Sequence, residues 1–205
     1  NSDSDQPMYD STGRYVILFN GEIYNHKQLR NKLLNKHKVI FKTNSDTEVI
    51  LYLLIYEGID YVKNLDGIFA IVFYDSKTDS ITLIRDPVGV KPIYYYNKNK
   101  KIYISSEIRP INSIVKSKIS NKGCSEYLTL GVSMKNNTVL ENIKKVNPGE
   151  IIKFKKDNSA SSRKYFDFKF NKTKDYKIHH VEKLLSKSII SQTPDIKFGV
   201  MFSGG

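Results

Sequence analysis

The apolar positions of this chain fall into short runs separated by turn residues, and the spacing within each run says what it forms. Tyr15-Val-Ile-Leu-Phe19 is apolar throughout and predicts a strand over 14–19. Leu29, Leu33 and Leu34 recur at helical spacing, so a helix follows over about 26–36, with Asn25 and Gln28 placed like a capping box. Val39-Ile-Phe41 reads as a short strand. Ser45-Asp-Thr-Glu48 is a second capping-box pattern, and the run Val49–Tyr56 behind it is apolar nearly all round. That helix should be buried between layers and end at Gly58.

Residues 68–74 and 81–85 predict a hairpin across the turn-rich Asp75–Ser80 loop. The first of these strands is apolar at every position, so both its faces should be covered. Asp86–Pro92 is a loop stiffened by Pro87 and Pro92. A second hairpin spans 93–96 and 101–105, short helices are expected at 107–116 and 122–130, and Pro148-Gly-Glu150 opens a strand at 151–155 with a return near 163–168. From 169 to 177 the chain turns polar and Lys-rich, as linkers do. A helix with Val181, Leu184, Leu185 and Ile189 on one face follows, and then a strand over 197–202. Periodicity alone gives a mixed α and β, sheet-dominated domain, followed by a piece too short to bury a core of its own.

Composition changes this picture little. With 205 residues the chain can hold one good core. No apolar run is long enough to span a bilayer, and the first residues are not signal-like. The net charge is +12, but the lysines are scattered among Asn, Ile and Tyr, with no Arg-rich stripe that would mark a nucleic-acid surface. One cysteine, Cys124, excludes an internal disulfide and fits a reducing compartment, hence a cytoplasmic protein. His179-His180, and His26 with His37, lack further ligands at metal-binding spacing and read as surface residues.

The candidate chemistry lies where the first strand meets its helix, at Phe19-Asn-Gly-Glu-Ile-Tyr-Asn25. A strand end is rigid, Asn20 offers an amide donor, and Gly21 lets a backbone N–H approach a ligand closely. These are ingredients of an oxyanion hole. The same residues also make an ordinary strand-to-helix turn. Asp46 has two readings as well: a helix-dipole partner in a first turn, or a carboxylate for a ligand's ammonium.

The stretch from Phe19 to Asn25 resembles the signature of class II glutamine amidotransferase domains, which are N-terminal-nucleophile hydrolases. Thr43–Ile50, Asp66–Asp75, Arg85–Tyr94 and Ser105-Ser-Glu107 are similar to further segments of that family in the same order, and Gln6-Pro-Met-Tyr9 to another. Phe202-Ser-Gly-Gly205 resembles the start of an ATP-pyrophosphatase loop. A glutaminase domain followed by that loop is the layout of glutamine-dependent asparagine synthetases.

The resemblance implies an α+β fold, a four-layer αββα sandwich over 1–170, followed over 176–205 by the first helix and strand of an α/β ATP-pyrophosphatase domain. It gives Asn20 and Gly21 the two oxyanion donors, and Glu22 and Asp46 the amino-acid end of glutamine. Phe202, Ser203, Gly204 and Gly205 would bind ATP, used with Mg²⁺ to activate aspartate as an acyl-adenylate that ammonia attacks. The implied partners are these small molecules, with neither nucleic acid nor membrane, and a homodimer is compatible. The family's nucleophile is an N-terminal cysteine whose free amine is the base. Residue 1 is Asn and Cys124 is internal, so the chain reads as a fragment, inactive alone, with nucleophile and substrate-binding arginine upstream. Two alternatives stay open: a relative acting on another carboxylate, and a non-catalytic module that kept the fold.

Overall fold

The strand that ends in the Asn-Gly-Glu segment and the apolar strand 67–75 form the centre of the molecule, paired antiparallel over nine positions from Tyr15↔Asp75 to Ile23↔Gly67. The structure, a computed structural model, describes residues 5–169, 177–193 and 197–200. In chain order the elements begin with β1 (Met8–Tyr9), β2 (Tyr15–Ile23), α1 (His26–His37), α2 (Asp46–Tyr56), β3 (Gly67–Asp75) and β4 (Ser80–Arg85). They continue with β5 (Tyr94–Lys98), β6 (Lys101–Ser105), α3 (Ile108–Val115), α4 (Asn121–Leu130), β7 (Ile143–Lys145), β8 (Glu150–Phe154), β9 (Ala160–Lys164) and α5 (Ile178–Gln192). One sheet runs β1-β2-β3-β4-β8-β9 and the other β6-β5-β7, with every pairing antiparallel.

Period-2 alternation sorts the core into two layers. Phe69, Ile71 and Phe73 of β3 join Ile17, Phe19 and Ile23 of β2 on one face, packed on Leu29 and Leu33 of α1 and on Val49–Leu54 of α2. Ala70 and the partly buried Val72 turn the other way and meet Leu83, Ile152 and Phe154, with Ile93, Tyr95 and Val146 from the second sheet's side. Both faces of β3 are therefore covered, as its unbroken apolar run predicts. Each fully buried side chain of this kind contributes about 1.5–3 kcal/mol of transfer free energy. Helix α3 lies against all three strands of the second sheet. The layer order is helices, six-stranded sheet, three-stranded sheet, helix: the expected αββα sandwich.

Several local expectations are corrected. Val39–Phe41 is not a strand: Lys38 closes α1 in the left-handed region, Ile40 is exposed, and Phe41 instead packs edge-on to Tyr52 under the Arg30 guanidinium. Among the described residues no strand pairs with this segment. The capping box at Asn25 does not form. Its side chain donates to the Asn64 carbonyl and accepts from the Asp66 N–H, tying the helix start to the chain before β3. At α2, Ser45 caps through the Thr47 N–H, while the buried Glu48 carboxylate reaches back to the N–H groups of Lys42 and Thr43. The return strand is 160–164 rather than 163–168. Cys124 is half-buried, with its thiol 3.9 Å from the Val139 carbonyl.

The chain divides into two compact units, Asn1–Asp167 and Phe168–Gly205. In the second unit, α5 presents Val181, Leu184, Leu185 and Ile189 to solvent. Residues 197–200 are not in a strand. A lone strand needs a neighbour to hold its ladder, and none pairs with it among the described residues. Most of the expected linker, and Phe202, Ser203, Gly204 and Gly205, lie outside the described residues.

Candidate active site

The outer edge of β2 is held by the two residues of β1 and, on either side of them, by side chains. Its odd-numbered residues direct N–H and C=O groups away from β3. Asp10 Oδ1 accepts the Tyr15 N–H at 2.7 Å, and β1 pairs at Ile17. Farther along, Gln6 Oε1 accepts the Phe19 N–H at 2.6 Å while Gln6 Nε2 donates to the Phe19 carbonyl at 2.8 Å. At the end of the strand, Asp46 Oδ2 accepts the Ile23 N–H at 3.1 Å. The alternation points the Gly21 N–H to the same edge, between the Gln6 and Asp46 straps, and neither strap holds it.

Gly21 is required here by the closeness of β3. A Cβ at this position would lie 2.0 Å from the Ile68 carbonyl oxygen and 2.7 Å from Phe69 Cα. Only a residue without a side chain lets the two strands approach this far, with φ at +157°.

Asn20 is exposed and points to the opposite face of β2 from Phe19, into the gap between the sheets. There it lines a cavity of about 250 Å³. Gln6, Leu18 and Phe19 line it beside Asn20, Ala70 and Val72 come from β3, and Pro92, Ile93, Ile104, Ser105 and Ser106 close the other side. The cavity is thus mostly apolar with a few polar groups, Gln6, Asn20, Ser105 and Ser106, the usual make-up of a small-molecule site. A larger hollow, about 440 Å³, lies among the hairpin turns at the Asp75 end of β3 and is lined by Lys100, Lys155 and Lys156. It holds none of the predicted site residues.

Glu22 and Asp46 do not line the cavity that Asn20 lines. Glu22 is exposed on the same face of β2 as Asn20, and Asp46 sits in the first turn of α2, bound to Ile23. Burial pushes the Asp46 carboxyl above its ordinary value, against the lowering effects of the Ile23 N–H and of His26. His26 donates Nδ1–H to the Ile23 carbonyl at 2.7 Å, since a carbonyl can only accept. The peptide at Ile23 is therefore gripped from both sides. Asn20 and Gly21 are neighbours on β2, and Asp46 binds the same strand two residues beyond Gly21.

The far wall depends on residues that sequence reasoning left without a role. The Asp86 carboxylate, 1% exposed, accepts from the N–H groups of Val88 and Val90 through Oδ1 at 3.1 and 3.0 Å, and from Lys91 through Oδ2 at 3.0 Å. The Arg85 guanidinium donates to the carbonyls of Gly89, Lys91 and Val146. Together they fold 86–92 into a fixed loop that delivers Pro92 and Ile93 to the cavity. The Arg-Asp-Pro-x-Gly-x-Lys-Pro pattern was the signal for this: an acid two residues before a run of free N–H groups is a standard loop organiser. Gln6 lies in the family-like segment Gln6-Pro-Met-Tyr9, but its role carried no signal, because a glutamine that replaces a strand backbone leaves no periodic mark.

Cys124 is in α4 and does not line the cavity. Among the described residues no group of His, Cys, Asp and Glu could hold a metal ion, and no helix is long and apolar enough to cross a membrane.

Comparison with known proteins bears on this geometry. A profile of the family described as "glutamine amidotransferase domain" matches residues 1–166. The chain is 30% identical over 208 residues to a Bacillus subtilis protein named asparagine synthetase [glutamine-hydrolyzing] 1, covering 98% of this chain and 32% of that one. It is 44% identical over 107 residues to a probable asparagine synthetase [glutamine-hydrolyzing] of Dictyostelium discoideum, covering 52% of this chain and 19% of that one. The chain thus spans a third or less of the length of these relatives. Among solved structures it is similar to the glutamine phosphoribosylpyrophosphate amidotransferase of B. subtilis, with a TM-score of 0.52 at 23% identity over 78% of this chain and 32% of that one. That last likeness speaks to the fold alone.

Proposed function

The chain belongs to the glutamine amidotransferase domain family, and from that premise we propose that it supplies the glutamine-binding and oxyanion-stabilising half of a glutamine-hydrolysing site. The observation that carries this reading is the edge of β2. Asn20 lines the inter-sheet cavity while the next residue directs a backbone N–H to the strand edge between two side-chain straps that bind Phe19 and Ile23 instead. A glutamine side-chain carbonyl placed there meets two N–H donors. When a nucleophile adds to its carbon, the oxygen becomes an anion and both hydrogen bonds strengthen, so the tetrahedral intermediate is stabilised more than the ground state.

Asp46, and Glu22 on the exposed side of the strand, receive the α-ammonium of glutamine in this reading. The half-buried thiol of Cys124 is away from the cavity and is not assigned as nucleophile. For the overall activity our reading is that of an asparagine synthetase, as the relatives are named: ammonia released here would amidate aspartate at the expense of ATP, with Mg²⁺. The residues assigned to ATP lie outside the described part of the chain, so no step is derived through them.

The test is kinetic. In the protein that carries this chain, Asn20→Ala is expected to lower kcat for glutamine hydrolysis by about 100- to 1000-fold, the usual effect of removing one oxyanion donor. KM should change only a few-fold. Asn20 is exposed, so the substitution leaves the core intact. An unchanged kcat in the folded variant defeats the reading.

A further inference from the structure

We propose that Gln6 is a positioning residue for the oxyanion hole, acting through the backbone of Phe19. The inference rests on the glutamine-hydrolysing reading and adds to it a residue that touches neither reacting atom. The Gln6 carboxamide both accepts from the Phe19 N–H (2.6 Å) and donates to the Phe19 carbonyl (2.8 Å). A residue in an antiparallel ladder exchanges the same two bonds with its partner. Here a side chain stands in for the strand. The main-chain register of β1 runs Tyr9↔Val16 and Met8↔Ile17, so the next position facing β2 would be Gln6 against Phe19. The side chain takes that place, and neither Gln6 nor Asp46 holds the Gly21 N–H on the edge beyond it.

The arrangement solves a specific problem. An oxyanion donor must be rigid yet unpaired, and a paired neighbouring strand would give rigidity while consuming the donor. Phe19 is fixed by its ring in the core, 9% exposed, and by Gln6 at both backbone groups. Asn20 and Gly21 follow directly on that anchored peptide, with β3 against their inner edge. Gln6 also lines the cavity beside Asn20, so the strap and the donor share one wall.

Because the strap needs one acceptor and one donor, Gln6→Glu separates positioning from bulk structure. A carboxylate accepts from the Phe19 N–H but faces the Phe19 carbonyl lone pair with no hydrogen. A protonated carboxyl restores both bonds. In the protein that carries this chain, Gln6→Met is expected to lower kcat for glutamine hydrolysis about 10- to 100-fold with KM nearly unchanged, as a displaced donor does. The ratio of Gln6→Glu to parent activity should rise as pH falls from about 8 to about 5, the range in which a carboxylate placed against a carbonyl regains its proton, whatever the parent's own profile. Thermal unfolding of each variant is measured alongside. If Gln6→Met fails to fold, the Gln6→Glu ratio decides. A ratio flat across pH, or a folded Gln6→Met variant with parental kcat, overturns the proposal while leaving the glutamine site standing. A parent protein with no glutaminase activity defeats the underlying reading and this inference with it.

Discussion

Asp46 Oδ2 accepts the backbone N–H of Ile23 at 3.1 Å, so the first turn of α2 closes on the last residue of β2. One carboxylate thereby joins the helix layer to the strand that carries Asn20 and Gly21. The placement costs something: burial raises the Asp46 carboxyl above its ordinary value despite the Ile23 bond, so the folded protein holds its ionised form less comfortably than the unfolded chain does. A carboxylate kept in an unfavourable setting next to a candidate site suggests use by a ligand cation.

The consequence separates binding from stability. An acid whose folded value is raised favours the folded state below its unfolded value and costs stability as pH rises through the folded one. At neutral pH the ionised Asp46 is therefore a burden. Asp46→Asn keeps an acceptor for the Ile23 N–H and removes the charge. It is expected to leave the urea midpoint at neutral pH unchanged or higher. KM for glutamine should rise about 10- to 100-fold through loss of a charged hydrogen bond worth about 1.5–3 kcal/mol. A variant that binds glutamine normally, or that loses stability, contradicts the assignment of Asp46 to the ammonium.

Glu57 gives the opposite sign. It sits just past α2 and accepts from Lys36 Nζ and His37 Nε2, both at 2.8 Å, with Lys32 Nζ at 3.5 Å. The hydrogen bonds from Lys36 and His37 hold its carboxyl down from 4.5 to about 2. A lowered acid stabilises the fold above its unfolded value and loses that contribution as pH falls through the folded one. Stability should decline between about pH 4.5 and 2 through this group. Glu57→Gln should be less stable than the parent at neutral pH and converge with it near pH 2. Chemical denaturation at a series of pH values gives the answer, and parallel curves for the two proteins rule the account out.

Much of this architecture was legible from the chain because it depends on local patterning. The unbroken apolar run 68–74 could only be a strand covered on both faces, and the run behind Ser45 could only be a buried helix. The candidate pair was marked by the apolar run before it, but the expected strand end at residue 19 was wrong: β2 continues through Asn20 and Gly21 to Ile23 because β3 pairs with it at every position. What escaped depends on contacts across long separations. Val39–Phe41 has strand-like residues, but a strand needs a neighbour, and beyond the end of α1 at Lys38 none of the described strands pairs with it. Asn25 looks like a cap, yet Asn64 and Asp66, some 39 and 41 residues away, claim its side chain. Gln6 is 13 residues from Phe19 and replaces a strand with an amide, which periodicity does not register.

Asp86 is the place where loop chemistry and site shape meet most directly. It is 1% exposed, and its two oxygens divide the work. Oδ1 serves Val88, Gly89 and Val90, while Oδ2 serves Lys91 at 3.0 Å and Phe69 of β3 at 3.4 Å. Every one of these partners is a backbone donor, so the group must be an acceptor at both oxygens. Asp86→Asn keeps the volume and one oxygen but turns an NH₂ toward donors, leaving buried N–H groups without acceptors at about 1–3 kcal/mol each. The expected loss of folding stability is about 2–4 kcal/mol, read from the shift in urea midpoint. Pro92 and Ile93 sit at the end of the same loop and line the cavity opposite Asn20, so glutamine turnover should fall too, even where the protein remains folded. Asp86→Glu would keep both acceptors but add a methylene to a closed space, and should recover neither property fully. If Asp86→Asn unfolds at the parent's midpoint, the loop is held by its prolines and Arg85 instead, and the cavity wall does not depend on this carboxylate.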